Sequence, residues 1–355
     1  MTHLARTATG ALAAITGAKY LANTAAVYGL TRKLAPRTGG DARRVTAPGL
    51  IGVEDLSIDD ENGIAYLAAA DRRTARRGGI ESGGLYSYDL TQPDGEPQLI
   101  SDPSVPLYPH GVSLWISPEG DRELYVVDHA GGRHSVRRYG VDKHRAELID
   151  VYAHPLIHSP NDLTAIGPGE FYVTNDHGFH GQFGQAAEQF LRLPISNVVH
   201  VVTTNNEVRY EVALKGVPFA NGIAWHPATG EMFLSAMTRR EVWRCSVEAD
   251  GTLRKIAAYP TDMCVDNIEI DAAGDLWIGG HPQILKLVQY DKNPAILSPS
   301  QVIRMNPRTG NYVTVFEDDG SLISGCSVGA RWRDRLLVGC VMEAFIVDIT
   351  LRPER

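Results

Sequence analysis

Four short stretches set oxygen-bearing side chains directly ahead of an apolar run. They are Glu54 and Asp55 in GVEDL, Asn161 and Asp162 in HSPNDL, Asn221 in FANGI, and Asp266 and Asn267 in CVDNI. One such pair is a turn, where Asn and Asp cap backbone groups. Four in the same local context ask for a common explanation. Converging carboxylates repel unless a positive charge sits between them. No Cys and no adjacent His pair joins these residues, so the donors are oxygen only. Oxygen donors favour a hard cation, and many of them favour Ca²⁺, which takes six to eight. Glu54, Asp55, Asp162 and Asp266 together carry a formal charge of -4, which two Ca²⁺ ions balance.

Histidine supplies the other half of the chemistry. His110 lies in YPHGVS and His129 in VVDHAGG. Two imidazoles beside a cation can act as a general base and its orienting partner. His158, His177 and His281 read as structural or wall residues near the same place.

Those side chains need elements that bring them together. From about residue 45 the chain reads as short strands split by Gly, Pro, Asp and Asn. The phrases GIAYLAAAD, ELYVVDHA, EFYVTNDHG, EMFLSAMT, DLWIGGHP and RLLVGCVM recur, and a second strand often follows each, as in SVRRYGVD, EVWRCSVEADG and QVIRMNPRTG. Six phrases at a spacing on the order of 45–60 residues predict a radial repeat of small antiparallel sheets. The expected fold is all-β: a six-bladed β-propeller over residues 41–355, preceded by an N-terminal helical segment over residues 1–40. In a propeller the starts of the innermost strands face the axis, so the four polar stretches converge there.

Composition narrows the function classes. The formal charge of -8 excludes a general nucleic-acid binder, which would carry a basic stripe. The four cysteines, Cys245, Cys264, Cys326 and Cys340, lack CxxC spacing and read as free core thiols. The Ala-rich segment ATGALAAITGAKYLANTAAVYGLTRKL reads as helix but not as a clean amphipathic one. Lys19 and Asn23 make it a poor membrane span. It reads as a helix packed on the domain or in a dimer, as a signal peptide with Arg6 ahead of its apolar run, or as an anchor to a membrane surface with Arg32 and Lys33 near the headgroups.

In this order, GVEDL, PHGVS, HSPND, TNDHGF, FANGI, VDNI with DLWIGGHP, and PSQVIRM resemble the paraoxonase/arylesterase family of calcium-dependent lactonases. The resemblance runs from LIGVEDL to FIVDI. It implies a propeller with two Ca²⁺ ions in its tunnel. The upper, catalytic ion would be held by Glu54, Asn161, Asn221, Asp266 and Asn267. The deeper, structural ion would use Asp55, Asp162 and the backbone carbonyl of Val112. His110, assisted by His129, would deprotonate water attacking a lactone or ester carbonyl polarised by the upper ion, a base role that Glu54 could share. Phe219, with His281, would belong to the substrate wall.

Two departures matter. Vertebrate members join their chain ends by a disulfide, and here no Cys precedes Cys245, so closure must rest on strand pairing. The stretch AADRRTARRGGI, where the family has an active-site loop, carries Arg72, Arg73, Arg76 and Arg77. It reads as a solvated loop, or as a rim attracting anionic substrates. The family's N-terminal helix associates with lipid, which favours membrane contact through residues 9–34 over a cytoplasmic location. The alternatives are a gluconolactonase-like or strictosidine-synthase-like propeller enzyme, and a calcium-stiffened binding scaffold without turnover. Neither the oligomeric state nor the physiological substrate is legible.

Overall fold

A computed structural model describes residues 24–353 except 31, 93 and 206. Six four-stranded antiparallel sheets make six blades, as the sequence predicts. The innermost strands are β2 (Val53–Asp59), β6 (Pro109–Ile116), β10 (Pro160–Gly167), β14 (Ala220–His226), β18 (Cys264–Ile270) and β22 (Cys326–Trp332). The second strands are β3 (Ile64–Ala70), β7 (Arg122–Asp128), β11 (Glu170–Asn175), β15 (Glu231–Ala236), β19 (Leu276–His281) and β23 (Arg335–Cys340). Each of the six recurring phrases supplies one second strand. These strands are almost wholly buried on both faces, which is why they read as continuous apolar runs and not as alternating ones.

The ring closes without a covalent link. The strand β1 (Gly40–Val45) pairs antiparallel with β24 (Ile346–Leu351), from Gly40 opposite Leu351 to Val45 opposite Ile346. The first strand is thus the outer edge of the last blade. All four cysteines are free and buried. The apolar clusters lie between neighbouring sheets: Tyr66 and Leu85 of the first blade pack with Leu124 and Val126 of the second.

Neighbouring blades are also joined along the tunnel by polar contacts. An inner strand has one edge that no strand pairs, and its N–H groups need acceptors. Ser113 Oγ accepts from Ala165 N at 3.1 Å, and Thr164 Oγ1 accepts from Trp225 N at 3.1 Å. Side chains of one blade therefore satisfy the backbone of the next.

Connections after the second strands all emerge at the rim where the inner strands begin. Three carry helices: α1 (Arg72–Arg76), α2 (Gln182–Leu191) and α3 (Ile284–Lys292). Residues 24–27 are helical and lie on this rim. Val27 is buried against Met237, Cys264, Phe219 and Ile284. Arg192 donates to Thr24 Oγ1 and Gln283 to the carbonyl of Arg32, so both ends of this segment are strapped to the propeller. Most of the membrane-contact stretch expected at 9–34, namely residues 9–23 and 31, lies outside the described residues. Among the described residues no helix is long and apolar enough to cross a membrane.

Candidate metal and catalytic centre

Every inner strand has a bulge at the same place. Pairing with the second strand skips between Val53 and Asp55, Pro109 and Val112, Pro160 and Leu163, Ala220 and Ile223, Val265 and Ile268, and Cys326 and Val328. In a regular strand, neighbouring side chains point to opposite faces. A bulge breaks that alternation and re-aims side chains. The expected ligands Glu54, Asn161, Asp162, Asn221, Asp266 and Asn267 fall within these irregular steps, and Asp55 ends one of them. The strands also approach closely: a Cβ on Gly222 would sit 2.4 Å from the carbonyl oxygen of Asp266.

The seven side chains are buried, none more than 5% exposed. Five of their oxygens have no hydrogen-bond partner: Glu54 Oε2, Asp55 Oδ1, Asn161 Oδ1, Asn221 Oδ1 and Asn267 Oδ1. Unpaired buried acceptors are costly and need an explanation. Other oxygens are anchored. Asp55 Oδ2 accepts from Val112 N at 2.7 Å, and Asp162 Oδ2 from Ile223 N at 2.7 Å. Asn267 Nδ2 donates to Glu54 Oε1 at 3.1 Å, and His281 Nε2 lies 2.8 Å from Asp266 Oδ2. Glu54, Asp55 and Asp266 thus have one oxygen fixed by protein, Asp162 has both, with Oδ1 accepting from Leu163 N at 2.7 Å, and amide and carboxylate oxygens are left over. This donor set, oxygen only and mostly anionic or amide, fits a hard cation. Among the described residues no three His, Cys, Asp or Glu side chains are arranged to hold an ion by themselves. In the upper set only Glu54 and Asp266 belong to those types, and the other three are amides.

The electrostatics agree with the donor set. Burial, then the charges of Asp162 and Glu54, raise the Asp55 carboxyl well above its usual range. Burial raises Asp162 likewise, against donations from Ile223 and Leu163. Burial raises Asp266, with His281 pulling the other way. Burial would raise Glu54 too, but His110, Arg72 and Asn267 outweigh it and hold it low. Acids gathered this closely stay ionised together only beside compensating positive charge.

His110 and His129 meet, with His110 Nδ1 3.0 Å from His129 Nε2. His110 Nε2 lies 3.5 Å from Glu54 Oε2. Burial, then the neighbouring charges of His110, His134 and Arg72, push His129 well below the usual histidine value. It is therefore neutral near pH 7.

An apolar cavity of about 700 Å³ opens on this rim, walled by Val27, Phe190, Phe219, Met237, Ile284 and Val288 among others. Phe219 belongs to this wall, with a left-handed backbone (φ 58°) that a bulky side chain rarely adopts. Asn221 Nδ2 lies 3.5 Å from the Met237 sulfur, so the wall and an expected ligand adjoin. His281 is only 1% exposed, contacts Asp266 and is not among the residues that line the apolar cavity. His158 and His177 brace the rim: His158 Nε2 lies 2.9 Å from the His177 carbonyl, and His177 Nδ1 2.6 Å from Asp176 Oδ1.

The basic stretch is only partly solvated: Arg72 and Arg73 are drawn in, while Arg76 and Arg77 stay exposed but paired. Arg72 is buried and donates to the carbonyls of Gly52 and Pro109, both at 2.9 Å. Arg73 lies over the Tyr290 ring at 4.6 Å, Arg76 pairs with Asp291 at 2.8 Å, and Arg77 donates to the Lys292 carbonyl. Arg73, Arg76 and Arg77 tie α1 and its end to α3, whereas Arg72 holds the strand approaches. Composition showed the charge of this stretch but not its partners, which for Arg73, Arg76 and Arg77 lie more than two hundred residues away in sequence.

Residues 81–349 match the family described as arylesterase, three quarters of the chain. This chain belongs to the arylesterase family. Among arylesterases, serum paraoxonase/arylesterase 2 from Homo sapiens is 29% identical over 309 residues, covering 81% of this chain and 83% of that protein. Serum paraoxonase/arylesterase 1 from Homo sapiens is 28% identical over 311 residues, covering 82% and 83%. Two solved structures share the arylesterase's fold at low identity. One is a gluconolactonase described as putative (TM-score 0.54, 15% identity, 89% of this chain and 94% of that one). The other is regucalcin from Agrobacterium tumefaciens, described as a calcium-binding protein (TM-score 0.51, 14% identity, 90% and 94%).

Proposed function

We propose that this arylesterase hydrolyses lactones, and aryl esters with them, in a reaction that depends on two Ca²⁺ ions. The single observation behind the reading is the set of five partnerless buried oxygens beside a hydrogen-bonded histidine pair. Glu54, Asn161, Asn221, Asp266 and Asn267 would hold the catalytic ion. Asp55, Asp162 and the Val112 carbonyl would hold the structural one. Calcium, when bound, supplies Lewis-acid polarisation of the ester carbonyl and charge stabilisation as the oxyanion develops.

The chain's own residues do the rest. His110 takes a proton from water at Nε2, and His129 orients His110 through its Nδ1. Phe219, Met237 and Ile284 receive the apolar part of the substrate and exclude water from the carbonyl. An apolar wall of this kind favours an alkyl-substituted lactone over a polyhydroxylated sugar lactone. That preference speaks against the gluconolactonase-like reading, although the propeller is shared.

The test follows proton release from an aliphatic γ- or δ-lactone before chelation, after chelation, and after calcium is restored. The expected result is activity that disappears and returns. Full activity after bound calcium has been stripped would sink the metal-centred reading. Bound calcium with no turnover of any lactone would leave a binding scaffold.

A further inference from the structure

The histidine pair does not end at His129. His129 Nδ1 lies 2.8 Å from His134 Nδ1, and the rings meet edge-on with centroids 4.9 Å apart. Glu54, His110, His129 and His134 thus form one string from the tunnel axis to the rim. It is a string and not a cage, since no three such groups among the described residues are arranged to hold a metal. The described fold makes it in a specific way. Asp128 pairs with Pro109 on one side and with Ser135 of the neighbouring strand β8 (Ser135–Val141) on the other. His110, His129 and His134 each sit next to one member of that rung. The chain returns from His129 to His134 through a tight turn in which Gly131 and Gly132 have φ of 65° and 68°. A Cβ at either would meet nothing within 4 Å, so the backbone conformation and not lack of room calls for glycine. Asp128, 2% exposed, fastens the assembly: Oδ1 accepts from Tyr108 N at 2.8 Å and Ala130 N at 3.1 Å, and Oδ2 pairs with Arg137.

We propose that His134 is the terminal member of a three-imidazole proton relay that holds the proton taken from the attacking water. The proposal rests on the hydrolytic reading above. The string has two polarities. In one, His110 and His129 each carry their proton on Nδ1 and His134 carries its own on Nε2. Each Nδ1–H then donates to the next ring, and His110 Nε2 keeps a free lone pair. When water attacks, its O–H bond breaks and an N–H bond forms at His110 Nε2. His110 Nδ1–H passes its proton to His129 Nε2, and His129 Nδ1–H passes its proton to His134 Nδ1. His134 becomes the cation and the two inner rings are neutral again. On cleavage of the ester C–O bond the alkoxide takes the proton from His110 Nε2, and the string reverts. The second proton of water leaves with the carboxylic acid product.

The relay keeps positive charge off His129. His129 is enclosed, and burial penalises its cation. Burial lowers His134 too, though not as far as His129; the charge of Asp176 pulls the other way and His158 adds to the lowering. His134 touches neither substrate nor ion and acts only through His129.

The experiment uses the full, calcium-loaded chain. In His134→Gln the side chain can still accept a hydrogen bond from His129 but cannot hold a proton. Its kcat is expected to fall about tenfold, a share of the roughly 10²–10⁴-fold that general base catalysis supplies. KM and the calcium concentration for half-maximal activity should stay at wild-type values. In His134→Ala the same loss is expected to be recovered by added imidazole and not by sodium chloride of equal ionic strength. A wild-type kcat in His134→Gln, or a loss in His134→Ala that imidazole does not relieve, would overturn the relay. Imidazole ¹⁵N spectra of the substrate-free protein read the string independently of turnover: Nδ1–H on His110 and His129 with Nε2–H on His134 supports it, and the opposite polarity refutes it. Failure of the wild type to hydrolyse any lactone would instead refute the hydrolytic reading.

Discussion

His281 Nε2 lies 2.8 Å from Oδ2 of Asp266, and neither side chain is more than 5% exposed. A histidine is thereby committed to one oxygen of an expected ligand and leaves the other oxygen free for the axis. Residues that orient a metal ligand in this way typically contribute about 10–100-fold in affinity or activity. His281→Phe should raise the calcium concentration needed for half-maximal activity by roughly that factor. Calcium titration of the purified variant measures it. An unchanged midpoint would remove His281 from the metal centre.

Asn161 and Asp162 are neighbours with different anchoring. Asp162 Oδ2 holds Ile223 of the next blade, whereas Asn161 Oδ1 is unpaired. Asp162→Asn should lower the melting temperature and shrink the further fall caused by chelator. Asn161→Ala should leave the melting temperature close to wild type and reduce kcat about 10²-fold or more, on the scale of a lost oxyanion stabiliser. Differential scanning calorimetry with and without chelator, beside lactone kinetics, separates the two.

Arg72 ties the approach to Glu54, at Gly52, to the approach to His110, at Pro109. Removing the guanidinium leaves two buried carbonyls without charged donors. Hydrogen bonds to charged groups are worth roughly 1.5–3 kcal/mol each, so losing two in Arg72→Met should cost about 3–6 kcal/mol of stability. Urea unfolding of calcium-loaded protein tests this. Arg77→Met, at an exposed position, serves as the control and should stay within about 0.5 kcal/mol of wild type.

His177 introduces a pH dependence. Burial pushes its pKa down, but the hydrogen bond and charge of Asp176 outweigh burial and hold it above the ordinary 6.5. The folded protein binds this proton more tightly than the unfolded chain does. The stabilisation is therefore complete below about 6.5 and is lost as pH rises through the folded value. Melting temperatures measured from about pH 6 to about pH 9 should decline, and His177→Gln should remove that component of the slope. An identical slope in the variant would show that other groups carry it.

Much of the centre was legible because the same local grammar recurs. Glu54–Asp55, Asn161–Asp162 and Asp266–Asn267 each precede an apolar run, and repetition in separate blades pointed to one axis. The bulges were not legible. Simple alternation predicts that Asn161 and Asp162 face opposite ways, and the skipped pairing between Pro160 and Leu163 breaks that alternation at both residues. His134 was missed for a different reason. It belongs to no motif, and its contact with His129 comes from a glycine turn and from the Asp128–Ser135 register. HAGGRHS does carry a signal, two histidines on either side of a double glycine at a strand reversal. The arginines of α1 were read by composition alone, and composition does not reveal Tyr290 or Asp291.

The pairing of β1 with β24 reaches beyond stability. Glu54 lies close to the start of the ring, yet Ser327 donates to its carbonyl and Asn267 to its side chain. During synthesis the early acids leave the ribosome long before residues 346–351 are available to complete the last blade. Such long-range closure is slow compared with local folding. Until it happens the early carboxylates have no enclosed axis to share and no geometry in which to compete for an ion. Loading with calcium would then act as a checkpoint late in maturation. A chain that stops short of Ile346 would lack β24 itself and with it the strand that seats β1 in the sixth blade.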